Sequence, residues 1–402
     1  MTQESSYQYV IIGAGLAGAS AVEGIREVDE NGTILLIGDE SHLPYNRPPL
    51  SKKLWTGEKK VSEIVVHGLE YYDDRNVDLT LGFKAVHLDP DSREITLGNG
   101  ENIEYGKLLL SMGGISRRLT IPGGDLDGIC YYRRLDDYWK LKAESEHNSN
   151  AIIIGGGYIA SEIAAALNMQ GVEVTVIMRG EWLCRHLFPE SLGRSVMKDY
   201  TTRGVNFMTG DEPSEIERKS GGFVVKTKGG KTLETHTMVV GIGVHAAVAL
   251  AEETGIKVDD GVVVNEFLQS SDPSIYAAGD IANFPYRALG DRRRVEHWDN
   301  ALNSGKYAGW NMAGKETPYD YMPYFFSDLF DLGFEAVGDV STRLEAFADW
   351  QKENEKGVIY YLKDSVVRGA MVIGVWDKVD DARELIRKGG KMSGDDLRGA
   401  IK

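Results

Sequence analysis

Two short glycine-rich segments constrain this chain more than any other feature. The first, GAGLAG, runs from Gly13 to Gly18, and the second, GGGYIA, runs from Gly155 to Ala160. Each follows a run of apolar residues typical of a buried strand, and each precedes an alanine-rich stretch. A strand, a glycine turn and a helix in this order favour an α/β fold with a parallel sheet covered by helices.

The spacing of the glycines has a physical reason. In such a turn the chain bends sharply, its backbone closely approaches a pyrophosphate, and the helix packs tightly on the strand. The helix N-terminus then stabilises the phosphate charge. The positions that meet these requirements are Gly13, Gly15 and Gly18 in the first segment and Gly155, Gly157 and Ala160 in the second. The chain is therefore expected to bind two dinucleotides, which indicates electron transfer between cofactors.

Apolar residues recur at helical spacing after both turns. They are Val22, Ile25 and Val28 after the first turn, and Ile159, Ile163 and Leu167 after the second. This spacing predicts an α-helix in each place.

Composition excludes several classes of protein. A length of 402 residues, 42% of them hydrophobic, allows two or three domains with substantial cores. No apolar stretch is long enough for a transmembrane segment, and the N-terminal MTQESSYQYV does not resemble a signal peptide, so a cytoplasmic protein is predicted. A net charge of −16 argues against a general nucleic-acid or anionic-membrane binder.

The two cysteines, Cys130 and Cys184, are far apart in the sequence. They make neither a disulfide framework nor a CxxC pair, so structural thiols are expected. No metal site is predicted.

The region after the first predicted helix contains further candidate binding residues. Asp39 lies about 20 residues beyond Gly18, where a carboxylate can accept hydrogen bonds from an adenosine ribose. The alternative is an ordinary aspartate of a turn. In the segment LPYNRPPLSK that follows, three prolines stiffen the loop and fix where Arg47 and Lys52 point.

Several motifs make the chain similar to one family. It resembles the FAD-dependent pyridine-nucleotide reductases, in particular the ferredoxin reductases of oxygenase systems and the apoptosis-inducing factors. The motifs that carry this resemblance are PYNRPPLSK (44–52), YAAGDIANF (276–284), RVEHWDNALNSGKYAGWNMAGK (294–315) and PYFFSDLFDLGFEAVGD (323–339).

The resemblance implies that FAD is bound by residues of these motifs. Asp280 would hold the ribityl and pyrophosphate region, and Arg47 belongs to a flavin-contacting loop. The segment 294–315 resembles the helix over the isoalloxazine. Within it, the pair Glu296 and His297 favours the apoptosis-inducing-factor branch, and His297 would contact the flavin ring. Phe326 stands where relatives usually carry a tryptophan beside the flavin ring, so stacking is retained without an indole N–H donor.

Two further departures from the family pattern limit what can be transferred. The usual ATGG reads Ser111-Met112-Gly113-Gly114, without the threonine. The stretch from 340 to 357 is too short for the long insertion of animal apoptosis-inducing factors, so the regulatory role of that insertion is not expected.

The resemblance also implies how electrons move. Relatives that reduce disulfides or peroxides carry a cysteine in the region that here reads LPYNRPPLSK, and this chain has none there. Electrons would then leave the flavin directly, for a ferredoxin-like protein, a quinone or another acceptor. Lys52 and Glu162 are the expected catalytic residues, since by resemblance they meet beside the flavin N5 edge, where the carboxylate keeps the lysine charged and placed.

The second glycine turn bears on the choice of nicotinamide nucleotide. The predicted strand after it ends in Met178, where an NAD-preferring site commonly has an acid, and Arg179 and Arg185 follow. The two arginines and Ala160 resemble NADPH sites, whereas Glu181 between them weakens the case. NADPH is favoured, with NADH as the alternative.

The predicted architecture has two Rossmann-like dinucleotide-binding domains and a smaller α+β C-terminal domain. We expect an FAD domain split between 1–115 and 245–321, an NAD(P)H domain at 116–244 and a C-terminal domain at 322–402. Within the last, strands are predicted at 358–363 and 366–375 and a helix at 378–388.

Two functions follow from these features. One is an NAD(P)H-dependent reductase that passes electrons through FAD to a ferredoxin-like protein or quinone. The alternative is a redox-sensing interaction protein, similar to apoptosis-inducing factor, whose homodimer surface changes when the flavin is reduced.

Overall fold

A computed structural model describes residues 5–219 and 221–401. The α-helices of these residues are α1 (Leu16–Arg26), α2 (Leu69–Asp73), α3 (Leu135–His147), α4 (Tyr158–Met169), α5 (Glu190–Thr202), α6 (Ala249–Glu252), α7 (Trp298–Met312), α8 (Val379–Lys388) and α9 (Gly394–Leu397). Short 3₁₀ helices lie at Pro48–Ser51, Val61–Glu63, Gly279–Ile281 and Arg287–Leu289.

The strands of the first half of the chain are β1 (Ser6–Ile12), β2 (Ile34–Gly38), β3 (Val77–Leu81), β4 (Ala85–Asp89), β5 (Glu94–Leu97), β6 (Asn102–Leu110), β7 (Gly114–Ser116), β8 (Asn150–Ile154), β9 (Glu173–Met178) and β10 (Asn206–Thr209). Those of the second half are β11 (Pro213–Lys219), β12 (Gly222–Thr227), β13 (Thr232–Thr235), β14 (Thr237–Val240), β15 (Val244–Ala246), β16 (Val262–Val263), β17 (Ile275–Ala277), β18 (Ala282–Tyr286), β19 (Asp291–Arg294), β20 (Tyr324–Leu329), β21 (Leu332–Gly338), β22 (Glu345–Lys352), β23 (Lys356–Lys363) and β24 (Val366–Ile373).

The chain divides into two compact units, each assembled from separate segments. Unit 1 contains the residues up to Asn46 together with Val61–Ile115 and His245–Pro323. Unit 2 contains Arg47–Lys60, Ser116–Val244 and the residues from Tyr324 onward. The functional division into three domains stays a prediction.

Unit 1 is built on a sheet with the order β3-β2-β1-β6-β5-β4, and β17 also pairs with β6. Strands β3, β2, β1 and β6 run parallel, and the helical crossover through α1 allows the parallel pairing of β1 with β2. Strand β2 and residues 9–12 of β1 are buried, and both are continuous apolar runs, as expected for parallel strands that are covered on both faces. The first glycine turn lies at the carboxyl end of β1.

Helices α1 and α7 pack closely in unit 1. A Cβ atom on Gly305 would overlap the carbonyl of Ala17, and one on Gly309 would overlap the carbonyl of Ala21. Only glycine allows this approach of two backbones. The residue numbers of α1 and α7 rise together along the contact. The two helices therefore run in the same direction, and their N-termini lie at the same end.

Unit 2 repeats the same plan around the second glycine turn. Its parallel sheet has the order β10-β9-β8-β14, and the antiparallel sheet β11-β12-β13 lies in the same unit. An apolar core that includes Ile152, Ile177 and Phe223 joins residues of the two sheets. The C-terminal part is an antiparallel sheet, β20-β21-β24-β23-β22, against which α8 packs.

The α/β class, with two Rossmann-like sheets and a smaller α+β C-terminal part, is confirmed. The predicted C-terminal strands and helix correspond to β23, β24 and α8 within two residues at each end. Of the apolar residues whose spacing predicted the two helices, only Val28 lies outside its helix, because α1 ends at Arg26. Ile159, Ile163 and Leu167 all lie in α4, where Ile159 is 41% exposed in the first turn.

Candidate functional site

The first glycine turn fits a pyrophosphate. Gly13 has a φ of +117°, and a side chain there would collide with the backbone of Ser111. Gly15 is the N-cap residue of α1, which has no side-chain cap, and apart from Gly15 and its chain neighbours no described atom lies within 4 Å of where its Cβ would be. The amide groups of the α1 N-terminus are therefore open to an anionic ligand, which is the arrangement that a dinucleotide phosphate requires.

Ser111, which departs from the family pattern, supports this turn. Its hydroxyl lies 3.0 Å from the carbonyl oxygens of both Ile12 and Gly13. A single hydroxyl hydrogen is thus shared between two carbonyl groups of the turn. The serine has a structural role that the sequence comparison with the family did not indicate.

Two acidic residues follow β2. Asp39 is exposed immediately after the strand, while the Glu40 carboxylate accepts a hydrogen bond of 2.6 Å from the hydroxyl of Tyr45. A Cβ on Gly38 would lie 2.7 Å from the Cβ of Ala14, so the end of β2 lies directly beside the glycine turn. Asp39 therefore stays a candidate for binding the adenosine ribose.

The YAAGD and VEH motifs lie near the N-terminus of α1. A Cβ on Gly279 would be 3.1 Å from Ala17, which places the neighbouring Asp280 at this end of the helix. Arg294 joins the two motifs, because its Nη1 donates to the Asp280 carbonyl at 3.1 Å and to the Glu296 carboxylate at 2.5 Å.

His297 is the N-cap residue of α7. Burial lowers the pKa of His297 to about 4, although the negative charge of Asp280 opposes this effect. The imidazole is therefore neutral at pH 7, with one nitrogen that donates and one that accepts hydrogen bonds.

The second glycine turn has the same features as the first. Gly155 has a φ of +130°, and a side chain on it would collide with the backbone of Gly241. Gly157 is the N-cap residue of α4, which has no side-chain cap, and open space again surrounds the position of its absent Cβ among the described residues. Ala160 is fully buried, and a Cβ on Gly155 or on Gly241 would lie 3.4 or 3.3 Å from its methyl group, so Ala160 packs against the turn and the residue after β14.

Unit 2 also brings Lys52 and Glu162 together. The Nζ atom of Lys52 lies 2.7 Å from Oε1 of Glu162, and their side chains are only 11% and 3% exposed. The ammonium group is also 5.2 Å from the centre of the Phe326 ring. Three segments that are distant in the sequence thus meet at one buried ion pair.

Two serines complete the hydrogen bonding of the buried carboxylate. Ser327 donates to Oε1 of Glu162 at 2.5 Å, and Ser51 donates to Oε2. Both serines are buried, so the two oxygens of Glu162 are satisfied by protein groups. Sequence analysis missed both, although each directly adjoins a selected residue, Lys52 or Phe326.

The two arginines have different surroundings. Arg179 is 85% exposed, and its Nε donates to the carboxylate of Glu212. The Arg185 guanidinium lies 5.5 Å from the centre of the Trp182 ring, and the backbone carbonyl of Arg185 accepts a hydrogen bond from Thr342. Sequence analysis did not identify Glu212, which lies on a separate segment between β10 and β11.

Of the remaining candidates, Arg47 donates from Nη1 to the carbonyl of Arg133 at 2.9 Å, which fixes its orientation in unit 2. Cys130 and Cys184 are free and buried. Burial raises the pKa of the Cys184 thiol to about 12, so it is protonated at neutral pH. In the described residues, no helix combines the length and the apolar character needed to cross a membrane.

The family described as pyridine nucleotide-disulphide oxidoreductase matches residues 7–305. Apoptosis-inducing factor 1, mitochondrial, of Dictyostelium discoideum is 34% identical over 418 residues, which cover 95% of this chain and 78% of that protein. Monodehydroascorbate reductase 2 of Arabidopsis thaliana is 32% identical over 399 residues, which cover 93% of this chain and 92% of that protein.

A solved structure shows the same fold. It is the ferredoxin reductase for the CYP199A2 system from Rhodopseudomonas palustris, with a TM-score of 0.90 and 27% identity. The similarity covers 98% of this chain and 96% of that one.

Proposed function

Because this chain belongs to the pyridine nucleotide-disulphide oxidoreductase family and is an NAD(P)H-dependent flavoprotein oxidoreductase, we propose that it passes electrons to a ferredoxin-like protein. The observation that carries the proposal is the buried Lys52–Glu162 pair together with two glycine turns that fit dinucleotides. A quinone is the alternative acceptor.

Each glycine turn binds a different cofactor in this proposal. The α1 turn, Asp39 and Asp280 hold FAD, while the α4 turn holds the nicotinamide nucleotide. FAD, when bound, supplies hydride acceptance and the release of electrons to the acceptor. The residues of the chain bind and orient the reactants and place charge beside the reacting atoms.

Lys52 supplies a fixed positive charge in the proposed site. A buried ammonium group without a partner would be destabilised in its charged form, and the Glu162 carboxylate prevents this. Ser51 and Ser327 hold the carboxylate by both oxygens, so it cannot rotate away from Lys52. Lys52 would then stabilise the negative charge that accompanies hydride arrival.

The residues around this pair favour an acceptor that takes electrons directly. The loop before Lys52 contains no cysteine, and Ser51 there is bonded to Glu162. A relay through a thiol in this loop therefore has no candidate. The ferredoxin reductase whose structure this chain resembles supports a small redox protein as the acceptor.

Rapid mixing of the FAD-loaded protein with a nicotinamide nucleotide, and then with acceptors, tests the proposal. We expect rapid loss of flavin absorbance, followed by rapid recovery with at least one [2Fe–2S] ferredoxin. If flavin absorbance recovers with quinones but with none of the ferredoxins, a quinone is the acceptor and the proposed ferredoxin-like acceptor is wrong. If none of the acceptors restores the flavin absorbance, the electron-transfer function is contradicted.

Similarity to apoptosis-inducing factor supports the alternative of a redox-sensing interaction protein. In that case the reduced protein should be long-lived, and reduction should change the population of homodimer. Analytical ultracentrifugation with and without nucleotide, in the absence of oxygen, distinguishes the two functions. A sedimentation coefficient that does not depend on reduction favours the reductase.

NADPH is the proposed electron donor, because Arg179 follows the end of β9, where an arginine can bind a 2′-phosphate. NADH remains the alternative. The cytoplasmic location likewise stays a prediction from the sequence.

A further inference from the structure

An ion-pair network at the end of strand β9 bears on the choice between NADPH and NADH. A Cβ on Gly156 would lie 2.7 Å from the sulfur of Met178, so the last residue of β9 lies against the second glycine turn. In Rossmann-like units, the residues at this strand end meet the adenosine ribose. Arg179 follows Met178 directly, and Glu212 binds its guanidinium.

The backbone fixes Glu212 in this place. The amide of Asp211 donates to the carbonyl of Met178 at 3.2 Å, and the carbonyl of Glu212 accepts from the amide of Lys228 at 2.9 Å. The Asp211 carboxylate in turn accepts from the amide of Glu212 at 2.8 Å. The segment that carries Glu212 is therefore bonded both to the strand end and to the neighbouring hairpin.

The charges of this network are arranged around one carboxylate. Oε2 of Glu212 contacts Arg179 and Oε1 contacts Lys228, and these two cations are 85% and 62% exposed, whereas Glu212 is 21% exposed. The two cations hold the pKa of Glu212 below its usual value, so the carboxylate is charged. Another carboxylate, that of Glu181, lies near Gly210 at the same strand end.

We propose that Glu212 determines nucleotide specificity by competing with the ribose 2′-phosphate for Arg179. This inference rests on the proposed function, because it places a nicotinamide nucleotide at the α4 turn. A 2′-phosphate must displace Glu212 from the guanidinium and also approach its negative charge. A ribose with a free 2′-hydroxyl meets neither obstacle, so Glu212 lowers the preference for NADPH over NADH.

The exposure of the Arg179 side chain makes the competition possible. An exposed ion pair contributes little stability because water and salt screen it. A phosphate can therefore exchange for Glu212 at small cost, and the result is a graded preference rather than exclusion of NADPH. Removal of the carboxylate would leave two unpaired cations, Arg179 and Lys228, beside the ribose position.

The test uses calorimetry to measure how tightly the FAD-saturated protein binds two adenine nucleotides without a nicotinamide group. The probes are adenosine 2′,5′-bisphosphate and AMP, which differ only in the 2′-phosphate. Glu212→Gln should tighten binding of the bisphosphate about three- to tenfold and leave AMP unchanged. The gain should disappear in the double variant Arg179→Met/Glu212→Gln.

Glu217→Gln is the matched control. Glu217 lies on β11, the strand that follows Glu212, and its carboxylate contacts Lys226 at 2.6 Å, while Glu215 contacts the same ammonium group at 3.0 Å. This variant therefore removes the same charge from another exposed ion-pair network. It should leave the ratio of the two affinities unchanged. An equal effect of Glu217→Gln, or an unchanged ratio in Glu212→Gln, would overturn the role of Glu212.

The same measurement distinguishes failure of the proposed function from failure of the proposed role of Glu212. If neither probe binds the FAD-saturated wild type, the nucleotide site at the α4 turn is wrong, and the role of Glu212 is wrong with it. If both probes bind and only the Glu212→Gln ratio fails to change, the site stands and the specificity role alone is refuted.

Discussion

The buried pair of Lys52 and Glu162 predicts a large non-additivity between mutations. Lys52→Ala and Glu162→Ala should each slow flavin reduction by the nicotinamide nucleotide. Glu162→Ala leaves the largely buried ammonium group without its carboxylate, and Ser51 and Ser327 without their acceptor. The double variant should be less impaired than the two single effects combined.

The structure sets the size of this effect. Two unit charges about 4 Å apart attract by about 4 kcal/mol at an effective dielectric constant of about 20, and desolvation offsets part of this energy. The side chains are 11% and 3% exposed, so solvent screening is weak. We therefore expect a coupling free energy of about 1–3 kcal/mol in the reduction step.

Stopped-flow absorbance of the FAD-loaded variants measures the four rates of the cycle. The exposed pair of Lys226 and Glu217, 41% and 48% exposed, is the control cycle and should show coupling near zero. Single variants that reduce at the wild-type rate would refute the catalytic role of the pair. Single effects that simply add would refute its coupling.

Three other properties can be tested directly. The wild type should carry one non-covalent FAD per chain. Gly13→Ala should be recovered without FAD, because the added Cβ would collide with the backbone of Ser111. The amount of flavin extracted from each purified protein measures both. The pKa of His297 is lowered to about 4, so the unfolded chain binds more protons between the two pKa values. The contribution of neutral His297 to the free energy of unfolding is therefore complete above pH 6.5 and is lost as the pH falls towards 4. Denaturant unfolding across this range should show that the free energy of unfolding depends less on pH in His297→Gln than in the wild type. Equal pH dependence in the two proteins would argue against the lowered pKa. Arg179→Ala should lower kcat/KM for NADPH about tenfold while NADH is little affected, and an equal loss for both nucleotides would remove this arginine from the phosphate site.

The local parts of the fold and site could be predicted from the sequence. Strand, glycine turn and helix follow each other within about 20 residues, and their spacing is fixed by the phosphate that the turn can hold. The pairing of Lys52 with Glu162 was expected from two family motifs, and the structure places the two groups 2.7 Å apart.

The parts that sequence analysis missed depend on contacts between distant segments. Ser327 and Glu162 are 165 residues apart, and Arg179 and Glu212 are 33 apart. No local pattern indicates which hydroxyl or carboxylate will face a given partner across such distances. Val28 was misjudged for a different reason, because helical spacing continued in the sequence after α1 had ended at Arg26.

The most direct test of the central claim is a double-mixing experiment with the FAD-loaded protein. One equivalent of NADPH or NADH is added in the absence of oxygen, and the reduced protein is then mixed with oxidised [2Fe–2S] ferredoxin. The account predicts that flavin absorbance recovers while the ferredoxin is reduced, and that Lys52→Ala slows the first step more than the second. A flavin that neither nucleotide reduces, or a reduced protein that no ferredoxin or quinone reoxidises, would contradict it.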